Sequence, residues 1–367
     1  MAKRNYSKAR KKIAPAAHSL FFKAPGVDEN SIDTFWIDLS QAVSIANRRF
    51  YRQGLVWCVD NIKIMTQTVT DAGAPSPGVM PKGKVVVSKA PQTWILSNAW
   101  EKAFRHWQTM NKNSGGVPGK FHDFKVFLDV YHQQSSLARR LRPISLGVGL
   151  MGTDSIGSGK ALAEPGDWDY SQVVVPEADN ADPTGANAYD IVCVGDNYPN
   201  LGAGALPVVS LIQGYANSRA IGASAFLDPN VPGEMDEVSG DKPENWLDAL
   251  TNEGIVQDAE VMDNLLEQNI QAPYPFENDN TGLNTSTHYP GGQEQLTGPQ
   301  VHAIEPITAS TIGGTTYIQG GTFPCGLLRF DFANYDTTAT TKQENWIQID
   351  LVPGEHRGYL VESMVEM

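Results

Sequence analysis

The sequence predicts a mainly β protein, an antiparallel sandwich or jelly roll with long decorated loops and a few short helices. Runs rich in β-branched and aromatic residues recur about ten to twelve times, bounded by Gly, Pro, Asn and Asp. The 34 glycines and 23 prolines favour turns and short strands over long helices. The strand-like runs do not alternate regularly with helical ones, which argues against a doubly wound parallel sheet. At 367 residues the chain has room for one large domain or two ordinary ones, and no internal repeat is visible.

Residues 1–30 read as a basic arm and linker, with Pro15, Pro25 and Gly26 keeping 13–30 extended. Residues 31–367 form the body. FWIDL (35–39) is its first strand. SQAVSIANRRFYRQ (40–53) follows as a short helix capped by Ser40, with Val43, Ala46 and Phe50 on one face. Arg48, Arg49 and Arg52 fall on or near the other face, either as solvated surface or as a phosphate-binding patch. LVWCVDNIKIMTQTV (55–69) and KVVVSKAPQTWIL (84–96) are strands separated by the Gly/Pro-dense stretch 71–83.

NAWEKAFRHWQTMNK (98–112) is the clearest helix. Asn98 and Glu101 make a capping box, and Trp100, Ala103, Phe104, Trp107 and Met110 recur at helical spacing. Such a Trp-rich stripe reads as core or subunit packing before it reads as a base-stacking platform. FHDFKVFLDVYH (121–132) alternates like a half-buried strand and puts His122 and His132 on one face. Arg139, Arg140 and Arg142 follow as a short basic cluster. Strands are expected at 170–176, 189–195 and 206–213. Residues 228–300 form an acidic, turn-rich surface insertion, with a helical pattern from Pro243 to Asn269. The last part returns to strands at TTYIQ (315–319), GLLRFDF (326–332), NWIQIDLV (345–352) and GYLVESMV (358–365).

Charge is divided along the chain. MAKRNYSKARKK holds Lys3, Arg4, Lys8, Arg10, Lys11 and Lys12 and no acid, a charge of +6 in a chain whose net charge is −13. A block of this density repels itself and has no apolar face to bury, so it is expected to be disordered and to meet polyphosphate. A solubilising tail or nuclear-import signal has the same composition. Residues 1–142 hold 22 basic against 9 acidic residues, a net of +13; residues 143–367 hold 6 against 32, a net of −26. That asymmetry suggests a polyanion-facing side and a solvent-facing side.

The catalytic and cofactor motifs fail on context. Gly147-Val148-Gly149-Leu150-Met151-Gly152 fits G-x-G-x-x-G, but the stretch after it is too Gly-rich and short to be the helix that would hold pyrophosphate. Residues 154–161 fail as a P-loop: Asp154 stands where glycine belongs, and Ala161 has no hydroxyl for magnesium. No G-x-S-x-G or H-E-x-x-H occurs, and the seven histidines have no ligand spacing. The pairs Asp167/Asp169 and Asp179/Asp182 are solvated loop acids before they are calcium ligands. No catalytic set, cofactor or metal site is expected. Cys58, Cys193 and Cys325 lie far apart in apolar runs and read as buried free thiols. No apolar stretch of about 18 residues exists, so no membrane insertion is expected, and the basic start lacks the apolar core of a signal peptide.

Three stretches, MAKRNYSKARKK, IDLSQAVSIANRRFYRQGLVW (37–57) and TWILSNAWEKAFRHWQTMNK (93–112), resemble capsid proteins of circular Rep-encoding single-stranded DNA (CRESS-DNA) viruses. The resemblance covers short segments of the first third, and region 228–300 has no match in it. It implies an eight-stranded jelly roll assembling with itself into a small icosahedral shell of about 60 copies. The arm then lies inside on a single-stranded DNA genome and the loops face outward toward a host receptor. It implies a virion protein without catalysis, with import into the host nucleus through the arm during assembly. Many relatives carry far more arginine in the arm. Arg48, Arg49, Arg52, Arg139, Arg140 and Arg142 are therefore expected to add to the lining. The alternative is a non-viral β-sandwich binding module for nucleic acid or carbohydrate, which accounts for the fold but less well for the charge split. An enzyme ranks third, on the Gly147–Gly152 match alone.

Overall fold

The computed structural model describes residues 16–70, 79–113, 122–144, 168–176, 186–197, 206–217, 246–249, 298–308, 314–337 and 341–367, with positions 73, 76 and 199. The basic block 1–12, the glycine motif 147–152, the stretch 154–161, Asp167, Asp179, Asp182 and most of 228–300 lie outside the described residues.

The elements in order are β1 (Ser19–Val27), β2 (Ile32–Asp38), α1 (Leu39–Asn47), β3 (Leu55–Thr70), β4 (Lys82–Lys89), α2 (Trp94–Asn113), α3 (Val130–Gln134), β5 (Arg140–Leu141), β6 (Gln172–Pro176), β7 (Ala186–Val192), β8 (Val208–Ser210), α4 (Leu211–Asn217), α5 (Trp246–Ala249), β9 (Gln300–Thr308), β10 (Thr315–Phe323), β11 (Leu327–Asn334), β12 (Thr341–Leu351), β13 (Pro353–Gly354), β14 (Gly358–Tyr359) and β15 (Val361–Ser363). Among the described residues strand outweighs helix, 49% to 22%, and the fold is mainly β.

Two five-stranded sheets form the body. The first runs β1-β12-β3-β10, with β15 paired to the start of β3; the second runs β5-β2-β11-β4-β9. Every pairing in them is antiparallel except β5 on β2. Phe22, Ile62 and Ile347 from the first sheet and Phe35, Val87 and Phe330 from the second share one buried cluster. The arrangement is consistent with a β-sandwich. In β12, buried and half-buried residues alternate without a break, the period-two pattern of a strand with one face on the core. A second cluster forms where α2 packs with Phe124, Val126, β6, β7 and α4, and it reaches Trp36 and Leu327 of the second sheet. Trp100, Ala103 and Trp107 are buried there, so the α2 stripe is core.

Several expectations need correction. The linker expected over 13–30 contains the whole of β1, so the body begins at Ser19. Pro25 and Gly26 are tolerated because β1 is an edge strand and its register with β12 shifts between Ala24 and Val27. Ser40 does not cap α1. Asp38 does, accepting from the Ser40 and Gln41 amides, and the Ser40 hydroxyl accepts from the Trp57 indole. TWIL (93–96) is helix rather than strand: α2 starts at Trp94, and Asn98 lies inside it, bonded to the Tyr215 hydroxyl.

The segment 121–132 is not a strand among its described residues. It makes one bridge, Phe127 to Val192, and then enters α3. Phe124, Val126, Phe127 and Leu128 are all buried, so both sides of this segment face protein. His122 and His132 therefore share no strand face. His122 stacks on Trp107, and His132 is buried in α3 against Trp36. Burial and the Arg140 charge hold the His132 pKa well below its usual value. Residues 211–213 are helix, not strand. The helical pattern from Pro243 is helix at Trp246–Ala249, and its remainder lies outside the described residues. Cys193 and Cys325 are buried free thiols, while Cys58 is half-buried. Among the described residues, no helix is long and apolar enough to cross a membrane.

Gly83 shows how closely the second sheet packs. A Cβ built there would lie 2.0 Å from the Ala333 carbonyl oxygen of β11, a backbone atom that cannot swing away. Gly83→Ala is expected to lower the unfolding free energy by about 1–3 kcal/mol. Chemical denaturation checks this, and an unchanged midpoint would mean that β4 and β11 do not approach so closely.

Candidate nucleic-acid interface

The basic arm joins the body at a fixed point. The Ala17 amide donates to Asn47 Oδ1 at 2.9 Å, and the Tyr359 hydroxyl donates to the Ala17 carbonyl at 2.6 Å. Asn47 Nδ2 donates to the Tyr359 hydroxyl at 2.7 Å and to the Val43 carbonyl at 2.8 Å, which closes a ring of polar contacts. Whatever precedes Ala16 therefore leaves the body beside the last residue of α1.

Helix α1 is held from its other end. The Asp38 carboxylate accepts from the Ser40 and Gln41 amides, from Gln53 Nε2 at 3.0 Å and from the Trp168 indole at 3.1 Å. Gln53 carries the link onward. Its Nε2 also donates to the Val126 carbonyl, its Oε1 accepts from the Val126 amide, and its own amide donates to Asp123. Burial pushes the Asp38 carboxyl from 3.8 up to about 6, against the pull of hydrogen bonds from Gln41, Gln53 and Ser40 and the charge of Lys125. Lys125 lies 4.3 Å over the Trp168 ring, and burial lowers its pKa.

The helix ends with Arg48 in the left-handed region (φ 55, ψ 35), its amide folding back to the Ile45 carbonyl. That sharp stop leaves Arg48 and Arg49 exposed, with no acidic partner among the described residues. Arg52 differs. Its guanidinium donates to buried Asp123 at 3.0 Å and to the His122 carbonyl at 3.2 Å, so its charge is largely taken up. A residue far away in sequence joins the group: Arg357 Nη1 donates to the Phe50 carbonyl at 2.7 Å and the Tyr51 hydroxyl donates to the Arg357 carbonyl. Arg48 and Arg49 directly follow Asn47, which holds Ala17, and Arg357 is tied to Phe50 just beyond them, with Glu355 the acid in the same turn as Arg357. Sequence reasoning missed Arg357. The one signal was an Arg-Gly pair after Pro353 and Gly354, a turn in an otherwise acidic region.

The second arginine cluster lies on the β5 segment. β5 pairs with Trp36 and Ile37 of β2, and the Ile144 amide donates to the Phe21 carbonyl of β1 at 2.8 Å. The segment therefore spans the gap between the edge strands of the two sheets. Arg139 donates to Asp33 at 2.6 Å. Arg140 donates to Ser135 Oγ and the Gln133 carbonyl and lies over the Phe127 and Tyr170 rings, a half-buried position that lowers its pKa. Arg140 and Arg142 line a cleft of about 260 Å³ with Lys23 of β1. Lys23 pairs with Glu344 at 3.1 Å. From Ala17 to Lys23 is six residues along β1, roughly 20 Å at ~3.3 Å per residue. Both cationic groups thus flank one strand.

The structure brings Arg48 and Arg49 together at the arm's root and places Arg140 and Arg142 at the cleft, while Arg52 and Arg139 are paired to acids. Lys3, Arg4, Lys8, Arg10, Lys11 and Lys12 lie outside the described residues. Comparison with protein-family models, curated proteins and solved structures returned no match.

The raised Asp38 pKa has a signed consequence. Between about pH 4 and 6 the folded chain holds a proton that the unfolded chain has released, so stability falls as pH rises through that window, by on the order of 3 kcal/mol. The unfolding free energy of the wild type minus that of Asp38→Asn is expected to show this slope. A flat difference would mean that the hydrogen bonds, not burial, dominate at Asp38.

Proposed function

We propose that this chain is a viral capsid subunit, a jelly-roll protein that closes into a small icosahedral shell and packages single-stranded DNA through its basic arm. The observation that carries this is the pairing order of the eight long strands in the two five-stranded sheets. Numbered in chain order, the first pairs with the eighth (β1 with β12), the second with the seventh (β2 with β11), the third with the sixth (β3 with β10) and the fourth with the fifth (β4 with β9). One sheet then reads first-eighth-third-sixth and the other second-seventh-fourth-fifth. A single antiparallel ribbon of four strand pairs, rolled so that successive pairs fall in alternate sheets, gives this order. A double-sheet jelly roll is such an arrangement.

That fold serves lectins as well as capsids, so charge and surface have to decide. The +6 block leads to Ala17, held by Asn47 next to Arg48 and Arg49, with Arg357 tied to Phe50, which suits a polyanion bound without sequence reading. Ile32, Val301 and Ile304 are more than half exposed on the second sheet, apolar surface that subunit contacts would cover. The net charge of −26 over residues 143–367 would keep particles apart by mutual repulsion.

Electron microscopy of the purified chain, with ultraviolet absorbance read for nucleic acid, is expected to show uniform closed shells. Their nucleic acid is expected to be lost when residues 1–12 are deleted. A monomer at every concentration and salt would overturn the proposal. Reversing Arg48, Arg49 and Arg357 to Glu is expected to lower the salt dependence of single-stranded DNA binding by about two units of slope, three cations at ~0.7 each. An unchanged slope would remove the root arginines from the interface.

A further inference from the structure

A second cleft, about 390 Å³ in volume, lies on the outer face of the second sheet. Strand register builds its floor. Trp36, Arg329 and Ser88 stand in one row across β2, β11 and β4, and Thr34, Asp331 and Val86 in the next. The wall is the segment from α3 to β5, which supplies Tyr131, Gln134, Ser135, Ser136 and Arg139. Tyr131 is 56% exposed, with the Arg329 guanidinium 5.9 Å from the centre of its ring. The volume falls in the range of small-molecule sites.

Charge decides what such a cleft can hold. Arg139 donates to Asp33, and Arg329 donates to Asp129 at 2.8 Å and to Asp331 at 3.0 Å. Two cations facing three carboxylates leave a local sum of −1. A phosphate here would meet arginines already neutralised and a surplus acid, which disfavours nucleic acid. The cleft at Arg140 and Arg142 differs, since Arg140 is held there by uncharged acceptors. The side chains of Gln134 and Ser136 bond no other described residue and keep their donors and acceptors for a ligand. The Trp36 ring closes the floor from below, its indole N–H sealed inside the protein. An aromatic face, a planar amide, hydroxyls and internally paired charges suit a ring with an apolar C–H face and a rim of hydroxyls.

We propose that this cleft binds a neutral saccharide, with one sugar ring lying on Tyr131 and its hydroxyls on Gln134 and Ser136. The site stands independently of shell formation. Saturation-transfer NMR on the full chain tests it with the methyl glycosides of glucose, galactose, mannose and N-acetylglucosamine. A methyl sialoside and an oligothymidylate serve as charged probes. At least one neutral glycoside is expected to bind, with affinity about tenfold weaker or worse in Tyr131→Ala and in Gln134→Ala. Both side chains are exposed, so an unchanged thermal midpoint verifies the fold of each variant. The proposal is overturned if no neutral glycoside binds or if binding survives both variants. It is equally overturned if Tyr131→Ala abolishes binding of the sialoside or the oligothymidylate instead. Microscopy reads shell assembly separately, so failure here with intact shells leaves the capsid proposal standing, and the reverse also holds.

Discussion

The buried carboxylate of Asp38 is the point where the sandwich, helix α1 and the long excursion between β4 and β9 meet. Two backbone amides of α1, the Gln53 side-chain Nε2 and the Trp168 indole all donate to it. The donors come from three parts of the chain, so the carboxylate fixes their mutual geometry. The direction of α1 follows from its cap, Asn47 follows from α1, and the arm's exit at Ala17 follows from Asn47. Removing water from an ionised carboxylate is costly even with four donors, which is why such a group tends toward its neutral form. The fold uses the strongest acceptor available at the place where most elements must agree.

The arginines illustrate how little charge counting says about charge availability. Arg52 and Arg49 are three positions apart, yet Arg49 is solvated and Arg52 satisfies Asp123, whose burial would otherwise leave an unpaired acid. Arg139 and Arg140 are neighbours in sequence, the first in the turn before β5 and the second at its start, and their side chains take different partners. One is tied to Asp33 near Trp36, and the other is held by Ser135 and Gln133 at the cleft shared with Lys23.

Much of the sandwich was legible because its strands have one face on the core. β3, β10, β11 and β12 stand out as β-branched and aromatic runs between turn residues. β1 carries the same signal, with Leu20, Phe22 and Ala24 buried alternately, but Pro25 and Gly26 masked it. Residues 121–132 misled for the opposite reason: apolar side chains on both sides of a buried connector look like alternation in a short window. The arm's root was half legible. Arg48 and Arg49 follow a recognisable helix, whereas Arg357 and Tyr359 reach it only through the closing turns of the chain, a contact no local pattern encodes.

Strand β12 occupies the slot between β1 and β3, so Ser19 pairs with Asp350 and Thr70 with Thr341. Until residues 341–351 have been synthesised, β1 has no partner in its sheet and β3 has one bare side. Closing a loop of this length is entropically costly before any pairing rewards it, and sheets of this kind fold slowly. A nascent chain on the ribosome therefore carries two open edges through most of its translation, surfaces that invite pairing with another chain. The same wiring makes a checkpoint of chain completion. A product truncated before β12 loses the centre of a sheet and not its margin, and with it Tyr359, whose hydroxyl holds Ala17.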